Sequence, residues 1–119
     1  MKRYLVKLMF NINIDNGNHA HQFDEQIRIV EAYTLEAAFQ KARNIGKKEE
    51  ETFINSDSKM VHWQFIDVTD VYELEALKDG EQVYSTTHEN TERHSFINYV
   101  KQKAMLIQAK SLTFAWLFI

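Results

Sequence analysis

The chain has 119 residues, a formal net charge of −3, 45% apolar and 13% aromatic residues, no cysteine, no proline and three glycines. The absent cysteine excludes disulfides, thiolate zinc sites, iron–sulfur clusters and a cysteine nucleophile; the scattered Gly17, Gly46 and Gly80 exclude a P-loop or dinucleotide fingerprint. A pI near 5.9 argues against nucleic-acid binding, where a domain pI above about 9 is usual.

From Arg3 to Ile14 the residues alternate, which predicts a strand. Tyr4, Val6, Leu8, Phe10, Ile12 and Ile14 share one face; Leu5, Lys7 and Met9 share the other. Asp15-Asn16-Gly17-Asn18 reads as a turn, because Asn and Gly tolerate positive φ. A second strand is expected from Phe23 to Ala32, with Ile27 and Ile29 toward the core and Gln26, Arg28 and Val30 opposite. Thr34 suits a helix N-cap. Leu35, Ala38, Phe39, Ala42 and Ile45 then form an apolar stripe, with Gly46 read as the C-cap.

Strand-like sequence resumes at Thr52–Asn55, turns through Ser56-Asp57-Ser58, and continues from Met60 to about Leu74. Val61, Trp63 and Phe65 share one face; His62, Gln64, Ile66 and Val68 share the other. Asp79-Gly80 is a strong hairpin signal, so Gln82–Thr87 is expected to return as a fifth strand. Asn90 or Thr91 then caps a second helix whose stripe is Phe96, Ile97, Val100, Ala104 and Ile107. The expected fold class is α+β: an antiparallel sheet of about five strands, order β-β-α-β-β-β-α. One helix covers one face; the C-terminal helix or tail lies on the other face or an edge. A single domain spans 1–119, with the sheet and first helix in 1–89 and the C-terminal helix and apolar tail in 90–119.

The last nine residues, Ser111 to Ile119, carry no charge. Nine residues fall short of the roughly 20 needed to span a membrane, so no membrane span is expected. Tyr4–Ile14 is interrupted by polar residues and lacks a cleavage site for a signal peptide. These features predict a soluble cytoplasmic protein. An exposed apolar tail invites association, and Leu112, Phe114, Trp116 and Phe118 are the candidate interface residues, on an edge strand or a continued helix.

Chemistry-bearing groups are sparse. His19-Ala20-His21 has i, i+2 imidazoles, but a metal site needs converging ligands and supporting hydrogen bonds; a solvated loop is the simpler reading, and no metal or cofactor is expected. His88, Glu89, Glu92 and His94 surround a helix start, where carboxylates complement the helix dipole. Glu73 and Glu75 share a strand face without apolar surroundings to raise a pKa. No serine sits in a nucleophile elbow, so no catalytic residue is assigned. The remaining candidate is the second sheet face. Aligning the strands by their core residues gathers Lys7, Arg28, His62 and Gln64 there, with Leu5, Met9, Val30, Ile66 and Val68 around them. Such a face suits a covering element, a twin subunit or a small anionic ligand.

Three stretches resemble a known family: Glu31–Ala42, the run His62-Trp63-Gln64-Phe65-Ile66-Asp67-Val68, and Asp79–Ser85. Together they are similar to Domain of Unknown Function 4288 over about residues 3 to 87. The resemblance implies a compact bacterial domain and carries no catalytic residue; the tail after Lys110 falls outside it. The expected function is therefore a non-catalytic binding or protein-interaction module, homodimeric and open to a protein partner. The alternative is an anionic-ligand-binding protein or an enzyme using the second sheet face.

Overall fold

The computed structural model describes residues 1–15, 21–75 and 77–117, the last five as helix backbone alone. It contains β1 (Lys2–Ile14), β2 (Gln22–Ala32), α1 (Leu35–Lys48), β3 (Glu51–Ile54), β4 (Met60–Leu74) and α2 (Arg93–Leu117). Two compact units result, Met1–Ser85 and Thr86–Ile119.

In the first unit the strands form one antiparallel sheet in the order β2-β1-β4-β3. α1 lies on one face. Tyr4, Val6, Leu8 and Phe10 of β1, Val30 and Ala32 of β2, and Ala38 and Ala42 of α1 make the buried core. The alternation along β1 therefore does what its period implies, and each large aliphatic side chain buried there contributes about 1.5–3 kcal/mol. Phe65 packs on Phe10 with ring centroids 5.5 Å apart. β1 is also covered on its second face, where Leu5 and Lys7 are buried.

The faces of β2 are the reverse of the sequence expectation. Lys7 pairs with Ile27, and Val6 pairs with Arg28. Val30 and Ala32 thus enter the core, whereas Ile27 and Ile29 stand 55% and 61% exposed on the other face. A shift of one residue moves every side chain of a strand across the sheet. Here the hairpin register, rather than the bulk of the isoleucines, decides which residues face α1.

Thr34 caps α1 as expected, its Oγ1 accepting the Ala37 N–H at 3.1 Å. Gly46, however, lies within the helix, which runs on to Lys48 and ends at Glu49. A Cβ at Gly46 would fall on the Phe65 ring. The glycine permits close approach of helix and sheet, with Ala38 and Ala42 on the same face at four-residue spacing. Leu35, expected in the stripe, is exposed.

β3 and β4 join through a tight turn in which Asn55 Oδ1 accepts the Asp57 and Lys59 N–H groups at 2.9 and 3.1 Å. Ser58 there has φ +60°. Register shifts between Lys7 and Leu8 and between Met9 and Phe10 interrupt the β1–β4 ladder. They place Val68 opposite Leu8, against the core, so Val68 belongs to the α1 face and not with Ile66. A bulge adds one residue to one strand and shifts its alternation by one.

The sheet has four strands among the described residues, not five. Gln82–Asn90 takes no regular structure. The two-residue hairpin turn favoured by Asp-Gly needs positive φ at both central residues. Only Gly80 has it, at +82°; the turn closes with Glu81 N–H on Lys78 C=O at 3.0 Å.

In the second unit, Asn90 Oδ1 accepts the Glu92 N–H at 2.8 Å just ahead of α2. The helix continues through Leu117, so Leu112, Phe114 and Trp116 are helical rather than on an edge strand. Every α2 residue from Arg93 to Leu112 is exposed. No helix is long and apolar enough to cross a membrane among the described residues.

Candidate functional site

The second face of the sheet carries one closed polar group. Lys7 sits in the middle of the central strand and is 8% exposed. A buried ammonium needs partners, and it has three. Nζ donates to the Tyr84 hydroxyl at 2.5 Å and lies 3.2 Å from Glu25 Oε1 and 3.7 Å from Asp70 Oδ2. Neighbouring strands supply the two carboxylates, since Lys7 and Asp70 are paired in register. The irregular segment after Gly80 supplies the tyrosine. It is held over the sheet by the edge-on Tyr72–Tyr84 contact, with centroids 5.4 Å apart, and by the Tyr72 hydroxyl donating to Ser85 C=O at 3.4 Å.

Hydrogen bonding to Tyr84, followed by the contact with Glu25, raises the Lys7 pKa above its ordinary 10.5 despite the opposing effect of burial. The amine is therefore held as an ammonium at neutral pH. Amine nucleophiles need the opposite shift, so this arrangement joins strands and segment rather than supplying an attacking group.

The other three residues expected beside Lys7 lie elsewhere. Arg28 faces α1's side of the sheet, donating to Gln26 Oε1 from Nε and Nη2 at 3.2 and 2.8 Å and approaching Glu49 at 3.3 Å. Gln64 and His62 pair in register with Asn11 and Asn13, four and six residues along β1 from Lys7. At about 3.3 Å per residue these are separations near 13 and 20 Å. His62 Nε2 meets Asp15 Oδ1 at 3.1 Å. The four residues do not converge.

Glu25, Asp70 and Tyr84 were not singled out in the sequence. Lys7 itself was the available signal: a lysine within an apolar alternation calls for carboxylates on the adjoining strands. A second ion pair was also missed. Arg43 on α1 and Asp67 on β4 form a two-pronged contact, with both N···O distances 3.0 Å. Arg43, then the Val68 N–H, hold the Asp67 carboxyl below its usual range, and Asp67 raises Arg43 in return. A cavity of about 290 Å³ lined by Arg43, Lys47, Phe65 and Asp67 opens beside this pair, and its arginine is already committed to Asp67.

Among the described residues no three His, Asp or Glu side chains gather to hold a metal ion. His19 lies outside them, and His21 is exposed. His88, Glu89, Glu92 and His94 are all exposed. Leu112 is 55% exposed; Phe118 and the side chains of Phe114 and Trp116 lie outside the described residues.

The first unit is thus a small α+β domain with a four-stranded antiparallel sheet, one covering helix and a tyrosine-closed lysine. The family model described as domain of unknown function (DUF4288) matches residues 3–85, and the chain belongs to that family. The match runs from the start of β1 to the residue after Tyr84 and leaves α2 outside. No curated protein and no solved structure matches the chain.

Proposed function

We propose that the chain is a non-catalytic binding module that acts as a homodimer in a cytoplasmic setting and engages a protein partner. One observation carries this: large aliphatic side chains stand in water in both units. Ile27 and Ile29 do so on β2, and Met105, Leu106 and Ile107 on α2, the last three 64–70% exposed. Exposed large apolar side chains, when they gather on one surface as Ile27 and Ile29 do on one face of β2, favour association. The anionic-ligand alternative lacks comparable support, because Lys7 is enclosed by its own partners and Arg28 faces the other side.

The charges divide as a binding role requires. α2 holds four cations, Arg93, Lys101, Lys103 and Lys110, and no carboxylate. The residues before it hold the other ten cations against all 17 carboxylates, a net charge of −7. An acidic protein surface complements the helix. Sedimentation velocity on the full chain tests the homodimer: a dimer mass is expected by roughly 10 μM. A monomer persisting to about 100 μM removes the homodimer from the proposal.

A further inference from the structure

We infer that β2 is the dimer seam, pairing antiparallel with β2 of a second copy about a two-fold axis through Gln26. This rests on the homodimer reading and names its interface. β2 is an edge strand of the sheet. Its eleven residues keep unbroken register with β1, and it contains neither proline nor lysine. Edge strands that stay single are protected by proline, by charged side chains, by bulges or by a covering element. β2 carries charges, among them the oppositely charged Asp24 and Arg28, together with three exposed apolar side chains, Phe23, Ile27 and Ile29.

The occupant follows from charge and register. Along the α1 face of β2, Arg28 donates to Gln26 Oε1 at 2.8 Å, and Gln26 Nε2 donates to Asp24 Oδ2 at 2.6 Å. The strand thus carries a polar line that is cationic at Arg28 and anionic at Asp24, with the amide between them. An antiparallel copy runs this line in reverse. With the axis at Gln26, Asp24 stands opposite the partner's Arg28, and Arg28 opposite the partner's Asp24. On the other face Glu25 stands opposite the partner's Ile27, and Phe23 opposite the partner's Ile29, an aromatic with a β-branched residue, a stabilising cross-strand pair.

Neighbouring axes fail. One through Asp24 or Glu25 sets that carboxylate against its own copy. One through Arg28 sets Glu25 opposite the partner's Glu31. One through Ile27 leaves Asp24 opposite the partner's Val30 and Arg28 opposite the partner's Gln26, so that no unlike charges meet. Directly opposed like charges destabilise a strand pair. Only the axis at Gln26 sets unlike charges directly opposite one another, Asp24 against the partner's Arg28. Two four-stranded sheets then become one continuous eight-stranded sheet, and the symmetric contact closes without leaving β2 free to recruit a third copy.

Charge reversal on the full chain tests this by sedimentation velocity, with circular dichroism as the check on folding. Asp24→Arg and Arg28→Asp each place like charges opposite one another twice, so each weakens self-association by about tenfold or more. The double variant D24R/R28D restores unlike pairs and recovers it. Because Arg28 also meets Glu49 within the chain, Asp24→Arg is the cleaner single variant. A dimer that keeps its mass in both single variants moves the interface away from β2 while the homodimer stands. A wild-type chain that is monomeric overturns both. Failure of the folded double variant to recover association overturns the register.

Discussion

β1 and β2 are adjacent strands, each carrying one basic side chain in its middle, and the sheet treats them oppositely. β1 is central, with Tyr4 through Leu8 buried on both faces. Its Lys7 is closed in by Glu25, Asp70 and Tyr84. β2 is an edge; it buries only Val30 and Ala32 and leaves Ile27 and Ile29 in water. Its Arg28 is spread along the strand through Gln26 and still 36% exposed at the side chain. A cation on a central strand has neighbours on both sides to neutralise it, and so becomes cohesion. At an edge it has neighbours on one side only, and the other side is left for a partner. Strand position, more than residue type, separates a charge enclosed within the fold from one left open at its edge.

The sharpest way to break the comparison is to cut the two strands equally. Leu8→Ala, at a fully buried β1 position, is expected to cost about 2–5 kcal/mol by urea denaturation. If it costs no more than a surface change, β1 is not the centre of the core. Gly46→Ala comes next. The added methyl meets the Phe65 ring, and inserting a methyl into a packed contact typically costs about 1–3 kcal/mol. Stabilisation by this substitution, as the higher helix propensity of Ala favours, would show that α1 and β4 are not held as closely as described.

The central strand was legible in the sequence because both of its determinants are local: strict alternation and a long apolar run. Thr34 was legible for the same reason, since a cap acts within three residues. What failed was set at a distance. Gly46 looks like a helix stop in sequence, yet its role depends on Phe65, nineteen positions on. Val68 follows the alternation of Gln64 and Ile66 until bulges against β1 shift it to the core. Ile27 and Ile29 are the most apolar residues of their strand, and only its register with β1 shows that α1 covers the other face. The Lys7 group draws on three separate segments, so Lys7 alone was visible as a candidate, and its assumed companions Arg28, His62 and Gln64 were assigned by a misplaced register.

The charge on β1 sharpens the comparison in the alkaline direction. The Lys7 pKa is raised in the folded chain, so the stability it contributes is fully present below the unfolded value near 10.4 and is lost as pH rises through the folded value. Lys7→Met keeps the length and apolar bulk of the stem without the charge. Subtracting the stability of this variant from that of the wild type between about pH 8 and 11.5 should give a difference that falls only above the ordinary lysine range. A difference that stays flat would mean that the Tyr84 and Glu25 contacts do not favour the ammonium in solution.

The smallest effect belongs to β2. Ile29→Thr keeps the β-branch that suits a strand and removes apolar surface from a position already 61% exposed. Within one chain the change in stability should stay within about 0.5 kcal/mol, as for surface substitutions generally. Stability should therefore be measured under dilute conditions, where dissociation does not enter. In the proposed seam association responds differently: the change would remove the cross-strand pairing with the partner's Phe23 twice over, each worth about 0.2–1 kcal/mol, so self-association is expected to weaken severalfold while the fold is unaltered. A loss of about 2 kcal/mol or more in the dilute chain would place Ile29 in a core and make β2 as central as β1. Unchanged stability with unchanged association would leave the edge exposed and the seam elsewhere, and only the combination of an intact fold with weakened self-association keeps the two strands in the roles assigned to them.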